Sequence, residues 1–191
     1  MLNLVLFGKP GSGKGTQANF LKDRYSLVHI STGDVFRKNI KNQTELGLKA
    51  EAYTQNGELV PDDVTVLMLE NEIKQNLPCK GFIFDGFPRT LYQADEMNKI
   101  LFKYKMKLSA IVALDVDDDL LTDRLLKRGL ISGRSDDQSR EKILTRLNEY
   151  RNKTEPLIEY YSKINRFHSV SGVGEIHEIS LRLLDLIESV K

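Results

Sequence analysis

At 191 residues, the chain is long enough for one well-buried core with a small insertion, and short for two independent domains. Its 28 Lys and Arg balance 27 Asp and Glu, a formal net charge of +1, so no global basic field exists to hold a nucleic acid or an anionic membrane, and neither is expected as a partner. Cys79 is the only cysteine, which excludes an internal disulfide and a cysteine-based zinc cluster and fits a reducing, cytoplasmic setting.

The chain opens on an apolar run, Leu4 to Phe7, with no basic leader before it and too short to span a bilayer; it reads as a strand. Immediately after it come Gly8, Gly11, Ser12, Gly13, Lys14, Gly15 and Thr16, followed by a helix-compatible segment. Small residues let successive backbone N–H groups turn inward around an anion, the next helix aims its positive end at the same spot, and Lys14 adds a mobile charge. The spacing of Gly8, Gly13 and Lys14 in a strand-loop-helix context marks a phosphate-binding loop and points to nucleoside triphosphates. A glycine turn with a solvated lysine would explain the composition but not the spacing.

A second strand-like run, Leu27 to Ile30, leads into a polar segment from Ser31 to Val60, interrupted by Gly47 and Gly57. It supplies no further core strand and reads as an inserted helical flap. Pro61 suits the start of a helix, with Asp62 and Asp63 complementing its dipole and Val64, Leu67 and Met68 as its inner face. The third apolar run, Phe82 to Phe84, ends on Asp85. A carboxylate there can hold magnesium or its water shell beside phosphates, or can merely cap the next turn.

The fourth run, Ile111 to Leu114, precedes Asp117, Asp118 and Asp119, which suit the N-terminus of a helix carrying Arg124 and Arg128. Those two arginines are four apart and so share a face. Residues Arg128 to Ser135 read as a loop between two helices with glycine hinges. The next helix is expected to begin near Asp136 or Asp137, to bury Ile143, Leu144, Leu147 and Tyr150, and to kink or restart at Pro156. A fifth run, Phe167 to Val170, and a final helix with Ile176, Ile179, Leu183, Leu184 and Ile187 inward complete the series. Strand-length runs alternating with amphipathic segments imply an α/β fold with a parallel sheet between helices. His29, His168 and His177 lack metal-ligand spacing and, like Cys79, read as core or surface residues.

Taken in order, Gly8 to Gln17, Ser31 to Asp34 with Arg37, Gly57 to Pro61, Asp85 to Thr90 with Gln93, Asp123 to Gly129, and Ser132 to Asp137 with Arg146 make the chain similar to the adenylate kinase family from end to end. The resemblance implies a P-loop NTPase three-layer fold around a five-stranded parallel sheet. The core would comprise residues 1–30, 61–128 and 138–191, with a nucleoside-monophosphate flap at 31–60 and a short lid at 129–137. It further implies reversible transfer of a phosphoryl group from ATP to AMP, giving two ADP, by a monomer. An attacking phosphate is already ionised at neutral pH, so no general base is needed, and no Ser/His/Asp set is evident. ATP and AMP carry about six negative charges; Lys14, Arg37, Arg89, Arg124, Arg128, Arg134 and Arg146 supply positive ones.

By the same resemblance, Gly11 to Thr16 and Arg128 hold ATP, and the backbone around Gly174 touches its adenine. Arg37 and Arg89 clamp the AMP phosphate, while Arg134 and Arg146 meet AMP and the phosphoryl group in flight. Thr32 and Gln93 face the adenine of AMP, and Glu58, Leu59 and Val60 line its site opposite Gly86, Phe87 and Pro88. Related kinases for pyrimidine monophosphates usually carry alanine where Thr32 stands. A binding module that closes on nucleotides without transferring phosphate is the rival from another class. Gly15 replaces the Ser or Thr that generic P-loops place after the lysine, so magnesium is expected to be held through phosphates and water, with Asp85 behind the water. The short lid, with no cysteines, implies no structural zinc.

Overall fold

The computed structural model describes residues 1–190. Each of the apolar runs forms a strand: β1 (Leu2–Phe7), β2 (Val28–Ser31), β3 (Gly81–Asp85), β4 (Ala110–Asp115) and β5 (Phe167–Ser171). They join one sheet in the order β2-β3-β1-β4-β5, every neighbouring pair parallel. The strands read as continuous apolar runs because both faces are covered. Val5, Phe7, Phe82, Phe84, Ile111 and Ala113 enter one core, whereas Leu4, Leu6, Ile83, Val112 and Leu114 enter the other.

The helices divide between these faces. On the first lie α4 (Asp62–Gln75), α5 (Leu91–Lys103) and α8 (Pro156–Ser162); on the second lie α1 (Lys14–Tyr25) and α9 (Ile176–Val190). Two smaller clusters serve the excursions. Residues 31–60 run from the end of β2 through α2 (Thr32–Lys41) and α3 (Glu45–Asn56), and Phe36, Ala50 and Val60 pack on Met68 of α4. On the far side of the sheet's edge, α6 (Asp118–Ser132) and α7 (Arg140–Glu149) meet through Leu121, Leu125, Ile143 and Leu147. Among the described residues, no helix is long and apolar enough to cross a membrane.

Several local expectations are corrected. Residues 128–135 are mostly helical: α6 continues through Ser132, and only a 3₁₀ turn at Ser135–Asp137 separates it from α7. Gly129 therefore is no hinge; a Cβ there would lie 2.5 Å from the Asp137 carbonyl oxygen, so glycine permits a close crossing of two backbones. Leu130 and Ile131, by contrast, are each 88% exposed. The α7 helix starts at Arg140, not near Asp136, because Ser139 caps it by accepting a hydrogen bond from Lys142 N. Leu144 is 47%, Leu67 62% and Ile176 62% exposed; the first two lie one step off their apolar stripes and Ile176 stands at the first position of α9, while Thr65, Met68, Leu69 and Ile73 form the inner face of α4. After α7 the chain widens into a π-helical turn, Tyr150–Thr154, and α8 then begins on Pro156, so proline restarts the helix.

Candidate active site

Five parallel strands end at one edge of the sheet, and the loops leaving β1, β2 and β3 build a cleft of about 560 Å³ there, where open α/β sheets hold ligands. The loop after β1 folds as expected. Ser12 N donates to the Lys9 carbonyl at 3.1 Å, and Gly13 stands before α1 with φ 98°, which glycine adopts without strain. A Cβ on Gly13 would meet nothing within 4 Å, so the loop mouth is open on that side. Lys14 Nζ donates to the carbonyls of Gly8 (2.7 Å) and Lys9 (3.0 Å). Burial lowers Lys14 to about 8, with Arg89, Arg146 and Arg128 acting in the same direction against Asp85. Lys9 itself pairs with Asp118 at 2.6 Å, and Asp118 also meets Arg151. The Asp117 to Asp119 run thus ties α6 to the phosphate loop besides facing a helix dipole.

Asp85 ends β3 opposite Leu6 and Ser31 and lines the cleft with Lys14, Gly15 and Thr16. Burial favours its neutral form, but the facing His29 and the charges of Lys14 and Arg89 outweigh that and hold the carboxyl below its ordinary range. Next in the chain, Gly86 accepts at its carbonyl from Thr32 Oγ1 (3.0 Å) and from Arg89 Nε (2.8 Å). Arg89 is fixed by main-chain bonds as well: its N–H donates to Gln93 Oε1 at 2.7 Å and its carbonyl accepts from Thr154 Oγ1 at 3.0 Å. Burial and the neighbouring Arg146 charge lower Arg89 to about 10. Gln93 Nε2 donates to Asp62 Oδ1 at 2.7 Å, and Thr90 Oγ1 donates to Asp62 Oδ2 at 2.8 Å. Asp62 is therefore an anchor for the Arg89 turn, not only a helix-start acid. Gln93 retains one N–H and spare acceptor capacity for a ligand.

The remaining cations come from the 31–60 segment, from α6 and the turn after it, and from α7. Arg37 Nη2 donates to Asp34 Oδ1 at 2.5 Å, and Arg134 Nη2 reaches the same oxygen at 3.4 Å, bridging the 31–60 segment to the turn after α6. Burial raises the Asp34 carboxyl, but Arg37, Ser31 and Arg134 together bring it below its ordinary range. Arg128 grips Asp137 with two bonds, Nε to Oδ2 at 2.6 Å and Nη2 to Oδ1 at 3.1 Å. Arg146 Nη1 pairs with Asp136 Oδ2 at 2.8 Å and also with Asp137 Oδ1. Burial lowers Arg146 and Arg134 from the usual guanidinium range. Arg124 makes no ion pair among the described residues.

All seven cations named from the sequence line this one cleft, together with Thr32, Glu58, Leu59, Val60, Gly86, Phe87, Pro88 and Gln93. Two residues fall outside its lining. Ser12 is buried with its hydroxyl unpartnered, and Gly174 sits in the turn between β5 and α9 with φ 120°, backed by Glu178 and Arg182. Sequence reasoning passed over Asp34, Asp136 and Asp137 as partners of the arginines, although each stands within three residues of Arg37 or Arg134 in the quoted motifs. It also read His29 as core or surface, whereas its side chain reaches the cleft beside Asp85. A single histidine within an apolar run carries no sequence signal for that placement.

Guanidinium forks and an ammonium, screened from water and restrained by aspartates, suit a ligand with several phosphate groups. A family model described as adenylate kinase matches residues 6–166. The whole chain is similar to adenylate kinases from Flavobacterium psychrophilum, 54% identical over 190 residues and all of both chains, and Porphyromonas gingivalis, 46% identical over 191 residues and 98% of that protein. It is also similar to an adenylate kinase from Micrococcus luteus, 44% identical over 191 residues and 93% of that protein.

Proposed function

Since the chain belongs to the adenylate kinase family and transfers the terminal phosphoryl group of ATP reversibly to AMP, giving two ADP, we propose a division of that work among the residues of this cleft. ATP lays its phosphates along Gly11 to Thr16, with Lys14 leaving the Gly8 and Lys9 carbonyls for the phosphate oxygens. Arg128 reaches ATP from α6, beside Arg124, while the backbone at Gly174 borders the donor adenine. AMP enters beneath the 31–60 flap, where Arg37 and Arg89 clamp its phosphate, Glu58 to Val60 and Gly86 to Pro88 line the site, and Thr32 and Gln93 read the base.

Magnesium accompanies ATP in this family, and when bound it would neutralise phosphate charge. The residues fit a metal held through water: Asp85 offers an ionised carboxylate beside the phosphate loop, and no cage of three or more acids or histidines exists among the described residues. The lone cysteine leaves zinc no part in this reading.

Transfer then rests on placement and charge. The AMP phosphate is its own nucleophile, and charge spread over the equatorial oxygens of a loose transition state is met by planar guanidinium groups that stay protonated. The short lid at 129–137 closes toward the flap and excludes water, which would otherwise accept the phosphoryl group. A single chain supplies every cation, which supports a monomer as the working unit, and the lone cysteine fits a cytoplasmic role in adenine nucleotide balance.

The observation that carries this reading is the convergence of Lys14, Arg37, Arg89, Arg124, Arg128, Arg134 and Arg146 on one cleft between phosphate loop, flap and lid. A coupled assay of ADP formation, run with AMP, CMP, UMP and GMP as acceptors, tests it. AMP is expected to exceed the others by at least about tenfold in kcat/KM, a gap of about 1.4 kcal/mol in transition-state binding. A pyrimidine monophosphate as the best acceptor overturns the roles of Thr32 and Gln93.

A further inference from the structure

His29 carries a buried Nε2 with no hydrogen-bond partner, 3.7 Å from Asp85 Oδ2, inside the cleft that holds the phosphates. A buried donor left short of a bond is costly unless some state of the protein completes it. Here the missing distance is well under an ångström relative to a good N–H···O contact. The groups acting on the Asp85 carboxylate are His29, Lys14 and Arg89. Lys14 and Arg89 turn to phosphate oxygens when both nucleotides are bound, which leaves Asp85 facing anions with His29 as the donor not claimed by phosphate. From its place on β2, adjacent to β3 in the sheet, that imidazole is held by backbone which no ligand displaces.

We propose that His29 is a positioning residue: its Nε2–H holds Asp85 Oδ2, so that the other carboxylate oxygen stays aimed at the water shell of the magnesium that arrives with ATP. This rests on the reading of Asp85 given above. Partners that orient a carboxylate near a metal commonly change affinity or activity by about 10-fold to 100-fold when removed.

The test compares His29→Gln, which keeps an N–H of similar reach, with His29→Leu and with His29→Asn, which is polar but too short. Calorimetric titration of each with ATP plus magnesium, and with ATP in EDTA, separates the metal-dependent part of binding from the rest; steady-state assays give kcat and the KM for each nucleotide. We expect His29→Leu and His29→Asn to weaken magnesium-ATP binding by about tenfold and lower kcat. Metal-free ATP binding and the KM for AMP should stay within about twofold, and His29→Gln should match the parent. In an Asp85→Asn background, His29→Asn should add nothing further.

Equal losses with and without magnesium, or a His29→Asn effect undiminished by Asp85→Asn, overturn the proposal, because His29 would then act on the fold and not through Asp85. Should His29→Leu fail to fold, the Asn and Gln variants carry the comparison. If Asp85→Asn alone leaves magnesium dependence unchanged, it is the metal reading of Asp85 that falls.

Discussion

Arg89 is held by its own backbone on both sides, through Gln93 Oε1 and Thr154 Oγ1, so truncating its side chain removes a charge and the Nε bond to the Gly86 carbonyl but leaves these two anchors of the turn in place. Arg89→Ala is expected to lower kcat/KM by about 10²–10³-fold, about 2.7–4 kcal/mol of transition-state stabilisation, while the melting temperature moves little. Steady-state kinetics with a thermal melt checks both halves, and unchanged turnover would remove Arg89 from its assigned role. Arg89→Lys should recover only part of the loss, since an ammonium cannot form the two-pronged contact.

Lys14 gives a pH-dependent consequence. With its folded value lowered to about 8, chiefly by burial, the unliganded protein carries a charged Lys14 below that pH and loses the charge as pH rises through it. Phosphates nearby favour the charged form. ATP binding above pH 8 should therefore weaken and take up a proton, visible as a binding enthalpy that varies with the ionisation heat of the buffer. The same lowering predicts that the unliganded fold gains stability between about pH 8 and the ordinary lysine range, because there the unfolded chain binds the extra proton. Calorimetry with no buffer dependence at pH 9 would refute the assignment.

Among the elements, α6 and the turn behind it depend on one close crossing. Gly129→Ala places a methyl group 2.5 Å from the Asp137 carbonyl oxygen, and the backbone must shift. A loss of about 1–3 kcal/mol in chemical denaturation is expected from such overpacking, with reduced ATP affinity because Asp137 also seats Arg128. Stability equal to the parent would mean that the crossing relaxes at no cost.

Elements with a strong period or a strong signature were legible in the sequence. The strands stood out because burial on both faces leaves no polar alternation, and the phosphate loop because its spacing is sterically demanded. The limits of α7 and the helical part of the 129–137 segment were not legible, since Ser139 competes with Asp136 and Asp137 as a cap and a buried glycine looks like a flexible one. The cations of the site could be named because their motif neighbours could be. Their counter-ions Asp34, Asp136 and Asp137, and His29 at Asp85, required tertiary proximity that no local pattern encodes.

For the molecule as a whole, ligand binding and folding are linked through this cleft, because its walls come from the sheet edge, the 31–60 segment and the 129–137 segment at once. Saturating a site to 100 times its dissociation constant adds about 2.7 kcal/mol to the stability of the folded state, which for a chain of this size raises the melting temperature by roughly 5–10 °C. On the closure proposed above, ATP and AMP together should raise it by more than the sum of their separate increments; scanning calorimetry in EDTA, where phosphoryl transfer does not deplete the pair, measures this. An additive increment that ignores the partner nucleotide would show that the arms respond independently.

On the roles proposed above, the aspartates that grip Arg37, Arg128, Arg134 and Arg146 would make nucleotide capture a swap of partners. An incoming phosphate must win each guanidinium from a resident carboxylate, and a departing one is succeeded by the same carboxylate. A cleft of unopposed cations would grip ADP on either side of the reaction and turn over slowly. On that reading, its own anions, ready to step back in, would let the protein release what it has made and stand ready for the next pair.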